Sequence, residues 1–178
     1  MNASIEGDGG PNVLTGGPGR DSIFGCAGND TIRGASDGDF IRSGSGSGLV
    51  HGGDGDDAID RGFDGRDSGT VGNSRLCGDA GNDQMTGNDR ICGGVGNDTL
   101  DGGGGRDRIF GGKGNDRTDA RWDASSTIDG GAGRDTLTLS SGSSIGDRLI
   151  NLSQTVTTIA SALGRTLTVP GIENVETT

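Results

Sequence analysis

Between residues 93 and 119 an aspartate recurs every nine residues, set among residue types that bind hard cations. The segment reads GGVGNDTLD, GGGGRDRIF, GGKGNDRTD. Each unit has Gly at positions one, two and four and Asp at position six, giving Asp98, Asp107 and Asp116. Closely spaced glycines let the backbone turn sharply and present its carbonyl oxygens, because glycine accepts dihedrals closed to other residues. The carboxylate two residues after the last glycine projects from the end of that turn. Carbonyl and carboxylate oxygens together are the ligand set of a hard cation such as calcium.

The remaining positions supply the scaffold. Position eight is Leu100, then Ile109, then Thr118. Positions seven to nine alternate outward, inward and outward, so position eight alone is buried. One turn and one short strand per unit predict a parallel β-solenoid. Two units complete a coil, and units i and i+2 stack at strand spacing.

The units match G-G-x-G-x-D-x-U-x, and on these residues the chain resembles the RTX (repeats-in-toxin) proteins, which carry the hemolysin-type calcium-binding repeat. The likeness runs over roughly residues 7–138, and the phrases SRLCGD and DRICGG are similar to actinobacterial members. The resemblance implies an all-β fold, a parallel β-roll (a two-sided β-solenoid). It also implies calcium between stacked turns, held by position-six carboxylates of units i and i+2 and by backbone carbonyls. The ligands so implied are Asp21, Asp30, Asp39, Asp57, Asp67, Asp83, Asp89, Asp98, Asp107, Asp116 and Asp135. The complete pairs would be Asp21/Asp39, Asp39/Asp57, Asp67/Asp83, Asp83/Asp98, Asp89/Asp107, Asp98/Asp116 and Asp116/Asp135, with Asn12/Asp30 a mixed pair. Seven doubly charged ions would bring +14 against a net charge of −11.

Departures from the repeat locate the weak points. Cys26 takes position two of its unit, and Asp37 stands where a glycine belongs, which predicts a distorted turn. Gly48 replaces a carboxylate, so its site should be weak or empty. After Asp57 the spacing slips: Asp67 follows by ten residues, Ser74 by seven, Asp83 by nine and Asp89 by six. An insertion can loop out of a turn, whereas the shortened unit GNDRIC predicts a local defect over residues 87–92. Trp122 lies in a degenerate unit, ARWDASSTID, and is expected on a bulged turn. The organisation expected is a repeat roll over 1–138, then a short C-terminal capping region over 139–178. That region is a β-rich cap or a lead-in to a further repeat block, as its ending GIENVETT suggests. Periodicity there does not separate β segments over 145–152, 155–163 and 166–175 from a short amphipathic helix plus strands.

Composition points to folding that depends on ions. The 178 residues include 40 Gly, and Leu, Ile, Val and Phe total 33, just under the ~20% below which a highly charged chain is expected to be disordered. About one aliphatic residue per nine cannot offset ~1–2 kcal/mol of backbone entropy per residue. Acid is carried by 23 Asp against 3 Glu, which suits short ligands beside tight turns. The expectation is a disordered calcium-free chain and a folded calcium-loaded one.

Other function classes find little support. There is no H-E-x-x-H, no G-x-S-x-G and no EF-hand loop, so no catalytic role is expected. The acidic total and scarcity of aromatics argue against nucleic acid. No apolar run is long enough to span a membrane, and MNASIEGDGG does not read as a signal peptide. Export would use another route, such as the C-terminal type I signal of many RTX proteins, or the chain is a piece of a longer one. His51 falls at an outward position nine and reads as a surface residue, not a catalytic or zinc-binding one. Cys77 and Cys92 share position nine two units apart, so they are either bridged in oxidising surroundings or free thiols. The function expected is a secreted, extracellular calcium-binding structural module. The alternatives are the non-catalytic module of a larger secreted enzyme, such as a polysaccharide epimerase or hydrolase, and an adhesion or surface-layer module. Their partners would be a parent-chain catalytic domain, a glycan or a cell surface.

Overall fold

The computed structural model describes residues 1–62, 74–87, 90–103, 107–121, 126–140 and 156–161. These contain strands and turns and no helix. The strands are β1 (Ser4–Glu6), β2 (Val13–Pro18), β3 (Ser22–Phe24), β4 (Thr31–Ser36), β5 (Phe40–Arg42), β6 (Leu49–Asp54), β7 (Ala58–Asp60) and β8 (Arg75–Ala80). They continue with β9 (Gln84–Thr86), β10 (Arg90–Val95), β11 (Thr99–Asp101), β12 (Arg108–Lys113), β13 (Arg117–Arg121), β14 (Thr127–Ala132), β15 (Asp135–Ser140) and β16 (Val156–Ser161).

The odd strands form one sheet in the order β1-β3-β5-β7-β9-β11-β13-β15, with β16 added beyond β15. The even strands form a second sheet, β2 through β14 in sequence order. Every pairing is parallel. Consecutive strands therefore lie in opposite sheets and alternate strands stack. This is the two-sided parallel β-roll, all-β in class, that the nine-residue period implies.

Position eight fills the space between the sheets. Ile23, Ile41, Ile59, Met85, Leu100 and Leu137 come from one side, and Ile32, Val50, Leu76, Ile91, Ile109 and Ile128 from the other. Each of these is at most 1% exposed, so the core is one side chain wide on each face. Ile5 and Leu14 pack against it from the N-terminal coil, and Thr118 takes a buried place in the row.

The two edges of the roll differ. Connections from even to odd strands are nearly uniform: 19–21, 37–39, 55–57, 81–83, 96–98 and 114–116 each hold three residues, and the last, 133–134, holds two because β15 already begins at Asp135. Connections from odd to even strands vary, with six residues at 25–30 and 43–48, fourteen at 61–74 and three at 87–89. The irregular spacing after Asp57 is thus confined to one edge, here called the variable edge.

This placement corrects two expectations. The shortened unit does not disturb the strands beside it, because β10 holds full register with both β8 and β12. The turn at Asp37 is also kept: Asp37 adopts a left-handed φ of +68°, and Asp39 beyond it is buried. Within the C-terminal region, Val156–Ser161 is a strand parallel to β15. Trp122 and the segments 145–152 and 166–175 lie outside the described residues.

The single-file core makes each position-eight residue matter. Ile91→Ala should cost about 2–5 kcal/mol, read as a lowered urea midpoint at saturating calcium. A loss below about 0.5 kcal/mol would contradict the packing described.

Candidate metal centre

The regular edge is built by short turns whose shape depends on glycine. In the turn before Asp98, Gly94 and Gly96 have φ of +124° and +141°. Such values admit glycine readily and other residues at a cost. The chain then enters β11, and the Asp98 side chain is left at the mouth of the turn, 1% exposed.

The same arrangement recurs along the edge at Asp21, Asp39, Asp57, Asp83, Asp98, Asp116 and Asp135, all 1–3% exposed. One oxygen of each carboxylate is fixed by the backbone of the preceding coil. Asp21 N–H donates to Asp39 Oδ1 at 2.8 Å, Asp39 N–H to Asp57 Oδ1 at 2.7 Å, and Asp57 N–H to Asp83 Oδ1 at 2.9 Å. The ladder continues through Asp83 N–H to Asp98 Oδ1, Asp98 N–H to Asp116 Oδ1 and Asp116 N–H to Asp135 Oδ1, at 2.9, 2.9 and 3.0 Å. Ala3 N–H caps the row on Asp21 Oδ1.

The second oxygen carries the chemistry. Oδ2 of Asp21, Asp39, Asp57, Asp83, Asp98 and Asp116 is buried with no hydrogen-bond partner. A buried anionic oxygen left in that state is expensive. A further oxygen lies beside each one. A Cβ built on Gly16 would strike both Asp21 Oδ2 and the carbonyl oxygen of Gly34. The same pairing meets Gly34 (Asp39 Oδ2, Gly52 O), Gly52 (Asp57 Oδ2, Gly78 O), Gly93 (Asp98 Oδ2, Gly111 O) and Gly111 (Asp116 Oδ2, Gly130 O). Carboxylate and carbonyl oxygens therefore converge in a space kept open by the missing side chain. That donor set fits calcium.

Burial raises the pKa of several of these carboxylates. Asp57, Asp83, Asp98 and Asp116 are pushed up to about 6, first by desolvation and further by the neighbouring carboxylates. Asp39 and Asp135 shift in the same direction, again chiefly through burial.

The expected ligands divide between the edges. Asp21/Asp39, Asp39/Asp57, Asp83/Asp98, Asp98/Asp116 and Asp116/Asp135 are neighbours on the regular edge. The expected Asp67/Asp83 pair is corrected: Asp83 stacks on Asp57, 26 residues earlier, because β9 pairs with β7. Asp67 and Asp89 lie outside the described residues. Asp30 and Asp107 occupy the variable edge. Asp30 Oδ1 accepts from Asn12 N–H at 2.9 Å, and its Oδ2 is buried without a partner. Further along this edge Gly48 N–H donates to Ser74 Oγ and Asp107 N–H to Ser126 Oγ, so uncharged groups stand in several carboxylate places.

A second ladder escaped the sequence reading. At position five, Asn82 N–H donates to Asp56 Oδ1, Asn97 N–H to Asn82 Oδ1 and Asn115 N–H to Asn97 Oδ1, each at 2.7 Å. Arg134 N–H closes the row on Asn115 Oδ1 at 2.8 Å. The recurring G-N-D triplet was its signal, since an amide oxygen one residue before each ligand can cap the turn above.

Two measurements check this geometry. Gly16→Ala should displace Asp21 and raise the calcium needed for folding severalfold, whereas a Cβ on Gly17 meets nothing within 4 Å. Gly17→Ala should therefore stay within about 0.5 kcal/mol of wild type, and equal effects of the two would contradict the cradle. The second check is pH. Because the folded pKa is raised, the folded state holds these protons more tightly than the unfolded chain does. The calcium-free roll is then most stable in acid and loses stability as pH rises through about 6. In chelator, the β-sheet circular dichroism should grow on acidification. The calcium midpoint should climb as pH falls through the same range, and a flat midpoint would contradict the assignment.

A protein-family profile agrees with this geometry. The RTX calcium-binding nonapeptide repeat is matched in four copies, over residues 6–41, 68–89, 85–117 and 124–145. No curated protein shows significant similarity to the chain. With more than half its length matched, and with the repeat folded into a parallel β-roll, the chain belongs to the RTX calcium-binding nonapeptide repeat family.

Proposed function

We propose that the chain is an extracellular structural module that folds on binding several calcium ions along its regular edge. The observation that carries this reading is the row of buried Oδ2 atoms without partners. Bound calcium would supply positive charge and oxygen coordination at each step of that row. Asp21, Asp39, Asp57, Asp83, Asp98, Asp116 and Asp135 are the principal ligands, each presenting Oδ2 while the preceding coil holds Oδ1. Asp30 and Asp107 provide weaker sites on the variable edge, where their described neighbours are Asn, Gly or Ser. Asp67 and Asp89 join the ligand set on repeat position alone. Residues 1–138 are the roll, and within 139–178 the strand β16 covers β15 at the C-terminal end of its sheet. An open end would otherwise expose unpaired backbone groups. Extracellular calcium suits such sites, since modules there work at 10⁻⁴–10⁻³ M, on the order of the ambient ion.

The reading is tested by calorimetric titration with circular dichroism recorded in parallel. Wild type should bind several ions cooperatively and gain β structure as it does so. Asp98→Asn lies mid-row and should lower the stoichiometry and raise the calcium midpoint by at least about tenfold, or ~1.4 kcal/mol. Asp30→Asn, flanked by Asn12 and Gly48, should change it less. Equal effects, or a spectrum identical in calcium and in chelator, would overturn the reading.

A further inference from the structure

Sheet register brings together side chains that the repeat does not call for. His51, on β6, pairs directly with Cys77 on β8, and Cys77 pairs with Cys92 on β10. All three take position nine, which faces out from the even-strand sheet because Val50, Leu76 and Ile91 face the core. Asp79 is two residues after Cys77 on the same face, and its carboxylate Oδ2 lies 3.0 Å from His51 Nδ1. The donor atoms of His51, Cys77 and Asp79 all lie within 4.8 Å of one another. Cys77 is only 4% exposed despite its outward position. Neither cysteine is in a disulfide, and Cys77 and Cys92 face each other in the register of β8 and β10.

Asp79 is the most telling member. It stands where the paired strands have Gly53 and Gly94, and it adopts φ +75°. A non-glycine residue held in that region costs on the order of 1 kcal/mol or more, and such strain collects at functional sites. The one histidine of the chain and two of its three cysteines meet beside this residue.

We propose that His51, Cys77 and Asp79 form a three-donor binding site for a divalent transition-metal ion of the zinc type, with the fourth position left to water. Imidazole and thiolate donors suit such an ion and not calcium. A tetrahedral site with bonds of ~2.0–2.3 Å has donors roughly 3.3–3.8 Å apart, so these three, within 4.8 Å of one another, close on an ion with side-chain shifts of about an ångström. One thiolate and one carboxylate balance the charge of a divalent ion. The site is separate in chemistry from the calcium row. Its loss would not remove a carboxylate of that row.

The test is cobalt(II) titration of the reduced, calcium-loaded full chain, with folding verified by circular dichroism in every sample. One cobalt per chain should bind with a sulfur-to-metal charge-transfer band, and zinc should bleach it. Cys77→Ser should abolish the band. His51→Gln and Asp79→Gly should each weaken affinity by at least about tenfold, and Cys26→Ser should leave it unchanged. Asp79→Gly restores the residue of the neighbouring strands, so this variant reads the site even if Cys77→Ser fails to fold. Absence of the band in folded wild type would overturn the proposal. A band of unchanged affinity in both His51→Gln and Asp79→Gly would overturn it too, since the thiols alone would then be responsible. Failure to fold in calcium would count against the calcium reading, not against this site.

Discussion

One electrostatic conflict governs this molecule: a row of carboxylates is buried at strand spacing, and from Asp21 to Asp116 each leaves one oxygen without a hydrogen-bond partner. Neighbouring coils in a parallel sheet stand ~4.8 Å apart. At an effective dielectric near 20, two like charges at that distance repel by on the order of 3 kcal/mol. The core cannot absorb such a penalty at every coil, because each coil adds only one aliphatic side chain per sheet. Positive charge bound at the edge would relieve that repulsion, and the glycines of the turn keep the space for it.

The two edges divide the labour. On the regular edge the connections are short and nearly constant, two or three residues, so the Asp backbone N–H of one coil meets the carboxylate of the next. On the variable edge the connections range from three to fourteen residues, and Gly48, Ser74 and Ser126 occupy carboxylate places there. Length changes are tolerated where few charges must be aligned. They leave register intact because both sheets are already fixed by the regular edge and by the position-eight core.

Much of this was legible in the sequence. The nine-residue period fixes which side chains enter the core, and Ile23, Ile41, Ile59, Leu100 and Leu137 sit there as the pattern requires. Most neighbouring carboxylates were also readable, because a constant period makes i and i+2 adjacent. Where the spacing slipped, counting units failed. Asp83 was assigned to Asp67 because units were taken as equal coils, whereas an insertion within one connection leaves the next strand stacked on β7 and so on Asp57. The meeting of His51, Cys77 and Asp79 was hidden for the same reason. Their separations in the chain follow from the long connection at 61–74, not from the repeat.

The most direct measurement is a crystal structure of the calcium-loaded chain with anomalous differences collected to locate the ions. The account predicts a line of peaks along the regular edge, each between Oδ2 atoms of successive coils from Asp21 to Asp135, and none where Gly48 faces Ser74. Peaks confined to the variable edge, or carboxylates of the regular edge turned to solvent around no ion, would contradict it.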